Sequence, residues 1–198
     1  MSVLFDIIGS TLFTGILIVT ILTINNNMVM GNYKSIASYE IQTQTIQLGR
    51  IMEYDIFKMG YNVPKTSPKI VSADTSFLKF YSDLTNSGTI NTIQYQLGSY
   101  IPGSPNPRDR QLTRIVDGAS LFISYNATRF YFSYYDSAMN KLATPVSAAN
   151  LLKIRSVNIV MMLETPDPID FAIRPNRTDT LYTGAYYEKL ITARNLYY

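Results

Sequence analysis

Apolar positions run almost without a break from Val3 to Ile24, then stop at Asn25-Asn26-Asn27. As a helix this run of about 22 residues spans roughly 33 Å, enough to cross the hydrocarbon core of a bilayer. Its one charge is Asp6. The pattern then changes without ending. From Met30 to Met59, apolar or small residues recur at Ala37, Ile41, Thr45, Leu48, Met52, Ile56 and Met59, at steps of three and four. Lys34, Glu40, Gln42, Gln47, Arg50 and Glu53 stand between them. That spacing predicts an amphipathic helix continuous with the first. Only Gly31 and Gly49 weaken it, and the first strong stop is Gly60, followed by Pro64 and Pro68. A single helix from about residue 3 to about residue 59 is on the order of 85 Å long. Its second half, residues 30–60, has one stripe to lay on a domain. Its first half, residues 1–29, is apolar all round and must be buried in lipid or in other helices.

Beyond the helix the period shortens. Residues 61–75 read as a Pro/Ser/Lys linker into a head domain that fills 61–198. Phe77–Ser82 and Ile90–Leu97 are strand-like runs joined through Thr85-Asn86-Ser87-Gly88, a hairpin in which Gly88 supplies the positive φ. "YIPGSPNPRDR" is a loop, Gln111 to Val116 a strand, and Asp117-Gly118 a tight turn. "SLFISYNATRFYFSYYD" holds one or two strands, "SAMNKLATP" a turn, and a further strand runs from about Ile154 to Leu163. "TPDPIDFAIRPNRTDT" is irregular, and a strand around Tyr186 to Ala193 follows. The fold class is therefore α+β, a long N-terminal helix packed on a C-terminal antiparallel sheet.

Composition narrows the chemistry. The chain has no Cys and no His, which removes thiolate nucleophiles, imidazole bases and the commonest zinc ligands, so an enzyme is not expected. The net charge of +3 comes from scattered basic residues and marks no nucleic-acid partner. The 16 Tyr and 9 Phe suit a strand-rich domain outside the cytosol, and Tyr131, Tyr134 and Tyr135 read as cross-strand packing ahead of a binding platform. Asn126-Ala-Thr and Asn176-Arg-Thr match the glycosylation acceptor pattern, which makes both asparagines candidate acceptors. Asp167 and Asp170 lack the spaced oxygen ligands of a cation loop and read as a solvated turn; neither metal nor cofactor is expected. No Lys or Arg precedes the apolar run, so it is expected to remain in the mature chain.

Five short motifs follow the helix in order: "TINTIQYQLG", "RQLTRIVDG", "FYFSYYDSAMNKL", "LLKIRSVNIVMMLET" and "KLITARNL". With the long helix ahead of them, they resemble the type IV pilin superfamily, closest to the J-type minor pseudopilins of type II secretion and the related large minor pilins. The resemblance implies a structural subunit of a helical filament, held in the inner membrane before assembly and carried afterwards on the cell surface or in a periplasmic pseudopilus. Its partners are then copies of itself or homologous pilin-like subunits. Asp6 stands where such subunits carry an acid, usually Glu, that pairs with a neighbour's terminal amine. Around it Phe5, Ile7, Ile8, Leu12, Phe13, Ile16 and Leu17 become the assembly surface. The residues themselves also allow a single-span membrane anchor whose β-domain binds a ligand and never polymerises.

Overall fold

The computed structural model describes residues 2–169 and 181–196. Helix α1 runs Ser2–Phe57, 56 residues in one piece, so the apolar and amphipathic halves form a single rod. It ends as the spacing predicts. The Met59 amide donates to Ile56 in a tightened last turn, and Gly60 takes φ 77°, in the left-handed region open to glycine. The Gly60 amide then donates to Tyr81, which ties the end of the rod to the sheet.

The sheet has seven strands among the described residues: β1 Ile70–Ala73, β2 Phe77–Ser82, β3 Asn91–Tyr100, β4 Arg110–Val116, β5 Ala119–Tyr135, β6 Ser156–Glu164 and β7 Gly184–Thr192. Each pairs antiparallel with the next in sequence. The β4–β5 turn is a two-residue loop with Asp117 at φ 51° and Gly118 at φ 83°, the pair of left-handed residues that the right-handed twist of a hairpin favours. At the β2–β3 turn Gly88 has φ 83° as expected, and Asn86 joins it at φ 59°.

The stretch expected to hold one or two strands is a single strand of 17 residues, bent by register shifts that let it follow both β4 and β6. Two features depart from the sequence reading. The linker contains β1, four residues too short to stand out between prolines and polar residues, which pair with Phe80, Lys79 and Leu78. A short helix α2, Ala148–Leu151, precedes β6.

The stripe on α1 finds its cover here. Ile41, Thr45, Leu48, Met52, Ile56 and Met59 are all buried, and Ala37 is half-buried. They meet the inner face of the sheet, where Leu78, Phe80, Ile93, Tyr95, Leu112, Phe130, Phe132, Ile159 and Met161 form one core. Tyr134 also points inward, fully buried, with its hydroxyl donating to the Asp74 carbonyl at 2.8 Å. Tyr131 and Tyr135, on the other face of β5, are only half-buried. Gly49 lies directly beneath the Tyr187 ring of β7, so close that a Cβ there would stand 2.5 Å from the ring.

Candidate functional site

Among the described residues, nothing covers the apolar half of α1. Every large hydrophobic residue from Val3 to Val29 is exposed, including the candidate assembly residues, from Leu17 at 46% to Phe5 at 69%. Its polar side chains are arranged to suit an apolar environment. Ser10 donates to the Ile7 carbonyl, Thr14 to Ser10, Thr20 to Ile16 and Thr23 to Val19, each bond between 2.8 and 3.0 Å. Thr11 does the same toward Ile7. Hydroxyls bonded to their own helix need no water, so these residues enter lipid or a helix bundle at little desolvation cost. Sequence spacing alone contains this signal, since each Ser or Thr has its acceptor three or four residues back.

Asp6 is different. It is exposed, and among the described residues no donor or cation reaches its carboxylate. A carboxylate placed among Phe5, Ile7 and Ile8 and then buried needs a partner from elsewhere.

The other end of the rod is fixed by a group that the stripe does not reveal. Asp55, one position off the apolar line, is buried against β3 and β4, where Arg114 binds it through two nitrogens at 2.6 and 3.1 Å. The Tyr95 hydroxyl donates to the same carboxylate at 2.5 Å. Burial, and then the Asp55 charge, push the Tyr95 phenol well above its ordinary value, so it stays a donor. Desolvation works against the Arg114 cation, but its bonds to Asp55 outweigh this and hold the guanidinium more firmly protonated. A two-nitrogen fork constrains direction as well as distance, so the rod leaves the head at a set angle.

A groove of about 930 Å³ lies between α1 and the end of the sheet, with Tyr33, Ile36 and Ile51 on one side, Ile101 and Ile123 on the other, and Asp109 and Asn126 along it. The two candidate glycosylation asparagines part here. Asn126 is half-buried, with its side-chain amide donating to the Glu164 carbonyl at 3.0 Å and facing Gln44 at 3.5 Å. Asn176 lies outside the described residues, as does Asp170. Asp167 is exposed on the groove rim, and no cluster of three or more His, Cys, Asp or Glu suited to a metal occurs among the described residues.

Asp109 closes the loop that borders this groove. One carboxylate oxygen accepts from Ser104 at 2.5 Å, and the other is buried without a partner among the described residues. Burial pushes this carboxyl up from its ordinary value against the Ser104 bond, and the nearby Glu164 charge adds to the rise. A carboxyl raised in the folded state binds its proton more tightly there than in the unfolded chain. Its contribution is therefore present at low pH and lost as pH rises through the raised value. Asp109→Asn is expected to gain stability relative to the parent chain between about pH 4 and 7, measured by denaturant midpoints at each pH. A difference between the two that stays constant across that range contradicts this account.

No family model matches the sequence, and no curated protein shows a significant match to it. The architecture itself, a long helix with an exposed apolar half and a second half packed on an antiparallel sheet, is consistent with a pilin-like fold.

Proposed function

We propose that the chain is a structural subunit of a helical filament of the type IV pilus or pseudopilus kind. In this reading the apolar half of α1 sits in the inner membrane before assembly and in the filament core afterwards, and the head from residue 61 onward lies outside. The observation that carries it is the continuity of α1. One unbroken helix joins an uncovered apolar half to a half anchored by Asp55 and Arg114, which presents the rod at a fixed angle to the head. A flexible tether would serve a simple membrane anchor as well. Because lipid already covers the apolar half before assembly, close packing between helices, and not removal of apolar area from water, drives the step into the filament core. The role is structural, with copies or homologous pilin-like subunits as partners, and Asp6 needs a cation supplied by one of them.

Asp6→Ala is expected to cut the yield of sheared filaments on the order of tenfold while the head keeps its melting temperature, because the partner cation is left buried and unpaired in the assembled state only. Electron microscopy of sheared surface material gives the readout. Unchanged yield removes Asp6 from assembly. A chain that stays wholly in the membrane fraction, with no fibre under any condition, supports the single-span binding module instead.

A further inference from the structure

The groove between α1 and the 101–109 loop has apolar walls and charges of one sign. Ile36, Ile51, Ile101 and Ile123 line it, and its charged residues are Glu40, Asp109 and Asp167; among the described residues no Lys or Arg lines it. Asp109 is the decisive one. It is 2% exposed, with one carboxylate oxygen held by Ser104 and the other buried without a partner among the described residues. The neighbouring cation, Arg108, is engaged by Glu164 at 2.8 Å and lies over the Tyr182 ring, and the Asn106 amide goes to the same Glu164 carboxylate. Neither answers Asp109. A buried carboxylate oxygen with no donor costs stability, and a cation brought to it from outside offsets that cost. Gly103, in the groove wall next to Ser104, has nothing within 4 Å of its Cβ position, so the wall is open at that point.

We propose that this groove is the docking site for an extended segment of a partner protein that carries a lysine or arginine between apolar residues, with the basic side chain paired to Asp109. The cation matches the unpartnered oxygen and the acidic lining, and the flanking apolar side chains match the isoleucine walls. The length of the groove favours a polypeptide. Its lining residues on α1 run from Tyr33 to Ile51, a rise of about 27 Å, which about eight residues of extended chain cover. Gln47 lines the same wall, exposed and without a hydrogen bond among the described residues, so its amide is free to meet the main chain of such a segment. The site goes beyond the filament reading and is the same whether or not the chain polymerises.

The test is fluorescence anisotropy with the full chain in a non-ionic detergent. The probe is the labelled, capped octapeptide Leu-Ser-Leu-Lys-Leu-Ser-Leu-Ser, beside two versions in which norleucine or glutamate replaces the lysine. The lysine peptide is expected to bind on the order of tenfold tighter than the norleucine peptide, and the glutamate peptide more weakly than either. Asp109→Asn removes an unpartnered charge and keeps the head folded; it is expected to erase the difference between lysine and norleucine. Ile36→Ser, at an exposed position in the wall, is expected to weaken both peptides alike by several-fold and to leave their ratio unchanged. Equal binding of the lysine and norleucine peptides overturns the proposal. So does a preference for lysine that survives Asp109→Asn, or the absence of binding by all three peptides.

Discussion

Asp55→Ala is expected to destabilise the chain by about 3–5 kcal/mol, the cost of leaving the Arg114 guanidinium half-buried and unpaired beside a cavity. For a chain of this size that is a fall in melting temperature on the order of 10 °C. The loss is not confined to one contact, since Asp55 receives Arg114 and Tyr95 together and these come from two adjacent strands. Tyr95→Phe removes a single hydrogen bond to a charged group and is expected to cost less, about 1.5–3 kcal/mol. Denaturant unfolding of the full chain in detergent ranks the two. A value for Asp55→Ala within about 0.5 kcal/mol of the parent means that the apolar stripe alone holds the rod.

The second large effect is expected at Gly49. A methyl group there would meet Cε2 and Cζ of Tyr187 at 2.5 and 2.6 Å, well inside contact distance. The Tyr187 ring must swing away from α1, giving up its packing and its contact with Glu53. Gly49→Ala is expected to lower stability by about 1–3 kcal/mol, although alanine is the better helix former. Gly31, with nothing within 4 Å of its Cβ position, is the control. Gly31→Ala is expected to leave stability unchanged or raise it slightly, by up to about 1 kcal/mol. Opposite signs for the same substitution on one helix separate packing from propensity. Equal signs refute the close approach of Tyr187.

The same two residues show how far the sequence reaches. The buried stripe on α1 was legible because a helix laid on a sheet must repeat its apolar positions every three or four residues, and six of the seven named positions are fully buried. The strands β2 to β4 and their turns were legible for a similar reason, as Gly88 and Asp117-Gly118 announce left-handed backbone. Asp55 was not legible, because an acid on a helix reads as solvent-facing until its partner is known. Arg114 lies 59 residues away, on a strand whose placement under the helix no local pattern encodes. Gly49 read as a weakness in the helix because spacing does not show what lies above a missing side chain. β1 escaped notice because four residues are too short to stand out between prolines and polar residues.

The asymmetry of the rod was legible, and the apolar residues left exposed on its second half were not. Tyr39, Ile46, Tyr54 and Phe57 are interleaved with Glu40, Gln47 and Arg50, which blur them into a polar face. Only the burial of the opposite side shows that they are what remains exposed.

The sheet order has a kinetic consequence. Every strand from β1 to β7 pairs with its neighbour in sequence, so the head grows by successive hairpins, the last two across the longer connections 136–155 and 165–183, and its contacts stay local for an all-antiparallel sheet. The exception is the closing step, in which α1, the first element made, packs against β6 and β7, the last. Until β7 emerges, the stripe from Ile41 to Met59 is still partly bare. A nascent chain therefore carries a sticky rod along its whole length, and completion of β7 is the event that restricts its stickiness to the uncovered apolar half.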